Sequence, residues 1–284
     1  MRTVVSISEA RRFLAKEEGP VGLVPTMGAL HAGHGRLIDE ARREAAAVAV
    51  SIFVNPSQFN QSEDYLQYPR PLETDLAFCE AHGVDLVFAP PLEEMYPQPQ
   101  LAWVDVMRVA DHMEGRFRPG HFRGVATVVL KLLQIVQPVR AYFGEKDAQQ
   151  LAVVRRMVND LNLPVEVIGV ETVREPDGLA LSSRNQHLST EERSIAPRIY
   201  AALRNAAECI TAGETSAADV RRAAMETLAG EPRMRIEYLE IAEEQEMQPV
   251  EHITGAVRVL AAVWVGRTRL IDNVRCVAGV SAGA

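Results

Sequence analysis

The chain is poor in cysteine, with three in 284 residues (Cys79, Cys209 and Cys276) and no CxxC spacing. Thiols so few and so far apart exclude a disulfide framework and a thiolate zinc site, and they fit a reducing cytoplasm. No apolar run is long enough to span a membrane, and the N-terminus lacks the basic-then-apolar pattern of a secretory signal. A basic excess is missing too. Lys and Arg number 30 against 38 Asp and Glu, leaving a formal net charge of −8. That argues against a surface built to neutralise a nucleic-acid backbone. A single nucleotide stays open, because it needs only a local cluster of donors. Internal repeats and low-complexity segments are also absent.

What is present is an ordinary globular composition, 47% hydrophobic and 24% charged. At this length two domains are expected. Ser6-Ile7-Ser8-Glu9 reads as a capping box opening a helix that runs to Gly19-Pro20. A strand over 21–24, a helix over 34–47 and a strand over 48–54 follow. Next come a helix over 72–82, with Leu72, Leu76 and Cys79 on one face, and a strand over 85–88. An apolar helix over 122–136, a strand over 140–143, a helix over 148–161 and a strand over 165–170 complete this part. Leu151, Val154, Val158 and Leu161 share a face of that last helix. Strands alternating with helices predict a mostly parallel sheet covered on both faces. Ligands of such sheets lie outside the carboxyl ends of the strands, and each loop singled out below is read as following a strand.

After about Val173 the rhythm changes. Ser189-Thr190-Glu191-Glu192 starts a long helix disturbed at Pro197, which cannot donate to the preceding turn. A helix over 217–229 and extended stretches over 236–242 and 257–264 follow, reading as a smaller α+β domain. The Ala-Gly-rich last residues are expected to fray.

The strongest chemical signal is PTMGALHAGH, residues 25–34, between the first core strand and a helix. A helix start offers unpaired N–H groups and the positive end of the dipole to a nucleotide's phosphates. Gly28 relaxes the turn, and Gly33 removes a side chain so that a base or ribose can come close. His31 and His34 add donors that strengthen as charge builds on the α-phosphate. The plainer alternative is that both histidines merely cap and decorate a turn. A zinc site is disfavoured because no third ligand is paired with the motif.

HxGH after a first strand resembles the signature of the nucleotidyltransferase superfamily, and the longer PTMGALHAGH is similar to the pantothenate synthetase family. Further runs match that family's motifs in order: SIFVNPSQF over 51–59, YPR over 68–70, RPGHF over 118–122, FGEKDAQQ over 143–150, LSSRN over 181–185 and GRTRLIDN over 266–273. The fold implied is α/β, a Rossmann-like, mostly parallel sheet domain over 1–174 followed by a smaller α+β lid domain over 175–284. The activity implied is ATP-dependent joining of pantoate to β-alanine through a pantoyl adenylate, with Mg²⁺ on the phosphates. A cytoplasmic homodimer working on small molecules, with no nucleic acid and no membrane, is the implied setting.

The resemblance carries roles onto particular residues. Nucleotide contacts are expected from Met27, Gly28, Ala29, Leu30, His31, Ala32, Gly33 and His34. Others are expected from Gly144, Glu145, Lys146, Asp147, Val173, Leu181, Ser182, Ser183 and Arg184. His31, His34, Lys146 and Arg184 are the catalytic candidates. Pantoate and β-alanine are assigned to Asn55, Gln58, Tyr68, Arg118, His121 and Gln150. Two neutral glutamines, Gln58 and Gln150, would orient a hydroxy-acid without quenching its carboxylate as nucleophile. Asp147 is read as the N-cap of the helix carrying Gln150; otherwise Gln150 is an exposed capping-box residue and Gln58 a loop residue. Lys146, between Glu145 and Asp147, either holds the triphosphate or belongs to a solvated charge cluster. Ser182, Ser183 and Arg184 can grip phosphate oxygens and neutralise departing pyrophosphate; alone they read as a turn with a surface arginine.

Three positions depart from the family pattern. Gly35 stands where relatives carry a larger residue, loosening the helix start by about 1 kcal/mol. Thr74 replaces an acid, leaving Asp75 as the nearby carboxylate for magnesium, directly or through water. Leu181 replaces a methionine of similar volume. Another HxGH nucleotidyltransferase and a catalytically silent nucleotide-binding protein remain as rival readings.

Overall fold

A computed structural model describes residues 1–279; the frayed end expected for the last residues lies outside them. The chain divides into two compact units. One holds Met1–Met107, Gly115–Glu145 and Val153–Glu171; the other holds Arg108–Glu114, Lys146–Ala152 and the chain from Thr172 onward.

The first six strands are β1 (Arg2–Val4), β2 (Val21–Thr26), β3 (Ala47–Ile52), β4 (Leu86–Phe88), β5 (Arg140–Gly144) and β6 (Glu166–Val170). They form one sheet in the order β1-β4-β3-β2-β5-β6, and every neighbouring pair is parallel. Strands buried on both faces carry near-continuous apolar runs, as AVAVS in β3 does. The register pairs Val21 with Ala47 and Thr26 with Ile52, so β2 and β3 end level. The loops that follow them, carrying the histidines and Asn55–Gln58, therefore leave the sheet at the same edge. Helices α1 (Ile7–Leu14), α2 (Ala32–Glu44), α3 (Ser62–Gln67), α4 (Leu72–Ala81), α5 (Leu92–Met95), α6 (Met113–Phe117), α7 (His121–Val136) and α8 (Ala148–Asp160) are interleaved. Val24, Ile38, Val48, Val50, Cys79 and Val87 are fully buried at the centre of one cluster in this unit.

Beyond Thr172 come α9 (Thr190–Ile195), α10 (Arg198–Thr211), α11 (Ala217–Leu228) and an antiparallel sheet β7-β8-β9 (Met234–Glu243, Ala256–Val265, Thr268–Val277). Ile199, Ala202, Leu203, Ala206 and Ile210 recur at helical spacing along α10 and are all buried with Ile241, Val259 and Val263. The α/β reading and its α+β sequel are borne out. No described helix is long and apolar enough to cross a membrane.

Several boundaries differ from the pattern reading, each for a local reason. Ser6 does cap α1, accepting from Glu9 N at 3.3 Å, but the helix ends at Leu14. The exposed Lys16-Glu17-Glu18 that follows has nothing apolar to bury. Leu72 and Leu161 are 42% and 48% exposed, so neither belongs to the apolar face assigned to it. The long helix at Ser189 is two helices, broken at Ala196-Pro197; Ser189 and Glu192 cap the first reciprocally at 3.2 and 2.8 Å. β1, α3, α5, α6 and β9 were not anticipated. In β9, Arg269, Asp272 and Arg275 interrupt the apolar pattern.

Those charges bind the second unit together. Arg269 grips buried Glu114 with both terminal nitrogens, at 2.9 and 2.7 Å, and Glu237 through Nε at 2.8 Å. Tyr238 donates to Glu114 at 2.9 Å and Trp264 to Glu237 at 2.9 Å. Burial and then the Glu114 carboxylate push the Tyr238 hydroxyl well above its ordinary pKa. Burial pulls Arg269 down, but bonds to the two carboxylates outweigh it and the net shift is upward. Removing one partner of such a set strands the others. Arg269→Met should therefore lower stability by about 3–5 kcal/mol in urea unfolding. A loss below about 1 kcal/mol, the scale of an exposed pair, would contradict a buried network.

Candidate active site

The turn after β2 is fixed at every step. Thr26 Oγ1 donates to Ser51 O on β3 at 2.7 Å and accepts from Gly28 N at 3.2 Å. Gly28 (φ 82°) and Ala29 (φ 51°) are both left-handed. A Cβ at Gly28 would sit 2.8 Å from Asp75 Oδ2, so only glycine fits. The amides of Ala29 and Leu30 both point at Asp75, at 2.9 and 2.8 Å, an anion-binding arrangement filled by a protein carboxylate. Asp75 is 2% exposed. Its work is thus the shape of the turn, and the magnesium contact expected of it finds no support here. Among the described residues no group of three or more His, Cys, Asp or Glu could hold a metal.

The two histidines cap α2 through their own rings. Gly33 N donates to His31 Nδ1 at 3.1 Å, and His31 N donates to His34 Nδ1 at 3.2 Å. The rings lie 4.2 Å apart, centroid to centroid. A ring nitrogen that accepts an N–H carries no proton, so each neutral imidazole is the Nε2–H tautomer. The cap therefore also fixes which ring nitrogen can donate. Gly33 serves this directly: a Cβ there would lie 2.8 Å from His31 Cε1. The space expected for a base or ribose is taken by the His31 ring.

After β3, Asn55 Oδ1 caps a short 3-10 turn over Pro56–Gln58. Gln58 is 8% exposed. Its Oε1 accepts from Asn55 at 3.1 Å, and its Nε2 points at Met27 Sδ, also 3.1 Å away. Its carbonyl accepts from His121 Nδ1 at 2.8 Å and Arg118 Nη2 at 3.3 Å. Arg118 and His121, assigned above to pantoate and β-alanine, clamp the backbone beneath Gln58. Their segment joins α6 to α7, and Tyr68 follows α3, so neither lies after a strand as expected. Tyr68 packs edge-on to Phe59 at 5.7 Å.

In the second unit, Lys146 lies in a 3-10 turn over Glu145–Asp147 that leads into α8, where Asp147 was expected as a simple cap. Lys146 Nζ stands 3.7 Å from Asp147, with 17% of the lysine side chain exposed. It lines a small cleft with Ser182, Arg184, Asn185, Arg269 and Asp272. Ser182 Oγ accepts from Arg184 N at 3.2 Å, opening the turn that carries Ser183 and Arg184. Among the described residues the Arg184 guanidinium has no ion-pair partner. Val173 O takes the Leu181 amide at 2.9 Å, so that carbonyl serves a hairpin. Gln150 is partly exposed, whereas Gln149 is buried and bonded to Glu114 N, Val109 O and His112 O at 2.8 to 3.0 Å. Sequence reasoning gave no role to Gln149, Arg174, Asp272 or Asn273, although the FGEKDAQQ run held Gln149 and the late GRTRLIDN run held Asp272 and Asn273.

All three cysteines are free. Burial pushes Cys79 up to about 12 and Cys276 up to about 11, which keeps both as inert thiols. The second unit's cleft is lined by the cations Lys146 and Arg184 and the hydroxyl of Ser182.

A profile of the family described as pantoate–β-alanine ligase matches residues 1–275. The chain belongs to the pantoate–β-alanine ligase family. It is 53% identical over 275 residues to a pantothenate synthetase of Chloroflexus aurantiacus, covering 96% of this chain and 97% of that one. It is 52% identical over 276 residues to a bifunctional pantoate ligase/cytidylate kinase of Synechococcus elongatus, covering 96% of this chain but 52% of that one. The chain thus spans about half the length of that curated relative. A crystal structure of pantothenate synthetase from Thermus thermophilus superposes with a TM-score of 0.92 at 51% identity, covering 96% and 99% of the two chains. A pantoate–β-alanine ligase from Francisella tularensis, complexed with β,γ-ATP and β-alanine, gives 0.80 at 35% identity, covering 96% and 97%.

Gly35, the departure from the ligase pattern at the start of α2, has a structural partner. A Cβ there would meet His82 Cε1 at 2.8 Å and Phe78 Cζ at 3.2 Å. His82 in turn holds Asp39 on α2 at 2.8 Å. The ring occupies the volume a larger residue would use. Gly35→Ala should therefore fail to stabilise the protein, despite a helix-propensity gain of about 1 kcal/mol. In a His82→Ala background the same change should raise stability by roughly that amount. Equal shifts in melting temperature in both backgrounds would show that the two residues are not coupled.

Proposed function

We infer that this chain joins (R)-pantoate to β-alanine, converting ATP to AMP and pyrophosphate and giving (R)-pantothenate. The pantoate carboxylate attacks the α-phosphate, pyrophosphate leaves, and the amine of β-alanine then displaces AMP from the pantoyl adenylate. A carboxylate is already ionised at neutral pH, so the first step needs no general base; it needs positioning and charge stabilisation. The observation that carries this reading is the pair of imidazoles whose Nδ1 atoms cap α2. Both are left with Nε2–H donors suited to charge developing on the α-phosphate.

On the first unit, His31 and His34 are assigned to that charge, Met27 to Gly33 and Gly144 to the nucleotide, and Asn55 and Gln58 to pantoate. Arg118 and His121 act through Gln58. On the second, Lys146, Ser182, Ser183 and Arg184 are assigned to the triphosphate, and Gln150 to the acid. Magnesium is assigned to the nucleotide, arriving as MgATP; Asp75 serves the turn, and no step depends on a metal held by protein. A cytoplasmic homodimer is the setting that the family resemblance supports, and the free thiols suit a reducing compartment.

Pyrophosphate release tests the activity: it should require ATP and pantoate, and release with CTP would point to a different nucleotidyltransferase. His34→Ala and Lys146→Ala should each slow adenylate formation by at least ~100-fold with the fold intact by circular dichroism. Near-normal single-turnover rates would remove these roles. Gln58→Ala and Gln150→Ala should raise the KM for pantoate and leave ATP binding nearly unchanged. A collapse of ATP affinity with pantoate use intact would reverse the assignment of the two subsites.

A further inference from the structure

Two consecutive residues of β9 hold two separate segments of the second unit. Asn273, 4% exposed, donates from Nδ2 to the carbonyl of Lys146 at 2.9 Å. The amide is itself locked, because its Oδ1 accepts from Arg258 Nη1 at 2.8 Å, and Arg258 is 3% exposed. Asp272, 5% exposed, takes both terminal nitrogens of Arg174 at 2.6 and 2.9 Å. Arg174 also reaches Asn273 O at 3.2 Å and Gly178 O at 3.1 Å, and lies 3.8 Å over the Tyr200 ring. β9 is an edge strand of its sheet, and this guanidinium ties it to the segment that begins at Arg174. Arg174 starts the hairpin that runs through the Arg174–Ala180 bridge directly into Ser182-Ser183-Arg184.

We propose that Asp272 and Asn273 are positioning residues for phosphate binding, a common anchor that sets Lys146 and the Ser182–Arg184 turn at a fixed separation. The proposal rests on the assignment of those two segments to the triphosphate. Neither anchor needs to touch substrate. Lys146 is held at its own carbonyl, so its backbone cannot shift when the ammonium meets phosphate. The hairpin is held by a bidentate, stacked arginine, the arrangement that fixes geometry most tightly. A lysine and an arginine that must meet adjacent phosphate groups gain from a single rigid reference, because small misplacements cost rate steeply.

Asn273→Asp isolates one anchor. It keeps the side chain's volume and the oxygen that receives Arg258, but sets a carboxylate against the Lys146 carbonyl where a donor stood. Single-turnover pyrophosphate release should fall by roughly 10- to 100-fold and the KM for ATP should rise, while the KM for β-alanine stays unchanged. Because the effect runs through Lys146, Asn273→Asp should cause little further loss in a Lys146→Ala background. Asp272→Asn, equally conservative in volume, supplies a second variant: it should also slow release, with little further loss in an Arg184→Ala background. Wild-type rates in folded N273D and D272N, or full additivity in the double variants, would overturn the proposal. A crippled Lys146→Ala beside an intact N273D sinks the anchor alone. Wild-type release from Lys146→Ala removes the phosphate assignment and the anchor with it.

Discussion

The first amides of α2 are received by imidazole nitrogens, and the site depends on that exchange. A helix start leaves backbone donors without partners, and a serine or aspartate would satisfy them with no further consequence. Histidine satisfies them with Nδ1 and thereby commits Nε2 to donate. The rest of the turn serves to keep the rings there. Thr26 ties it to β3, the left-handed Gly28 and Ala29 aim two amides at Asp75, and Gly33 leaves room for the His31 ring. A carboxylate in the cradle made by Ala29 and Leu30 also keeps a substrate anion out of it.

The second unit meets the same demand with buried charge. Arg269 with Glu114 and Glu237, and Arg174 with Asp272, are held well away from water. Burial raises the Asp272 carboxyl even against the pull of Arg174. Such pairs contribute little net stability compared with apolar residues of the same size, because desolvation offsets attraction. Their use here is geometric: each fastens a segment distant in sequence to the strands of one sheet. Carbonyl-specific bonds such as Asn273 to Lys146 extend this from element to individual residue.

The sequence made the long periodic elements readable. β2, β3, α7 and α10 bury what their apolar spacing says they should, and the histidine turn stood out as a strand-to-helix junction. What could not be read was whatever depends on distant partners. β9 alternates charged and apolar residues, which describes an exposed edge until Arg174 and Glu114 arrive from elsewhere in the chain. Leu72 and Leu161 fit a helical face by spacing but sit past the stretch that tertiary packing covers. Arg118 and His121 were assigned to substrate through the RPGHF motif; their bonds to the Gln58 carbonyl join residues some 60 positions apart. Gly35 read as a defect until His82 was seen filling its space.

The proposed chemistry turns on the tautomer of two rings, and nitrogen-15 NMR of the imidazoles reads it directly. In long-range proton–nitrogen correlation spectra recorded where the rings are neutral, His31 and His34 should each show a protonated Nε2 and an unprotonated, hydrogen-bonded Nδ1. Addition of ATP with pantoate should shift the Nε2 signals and leave that tautomer in place. An Nδ1–H tautomer on either ring, or Nε2 signals indifferent to substrate, would contradict a site in which the helix cap sets the donors for phosphate.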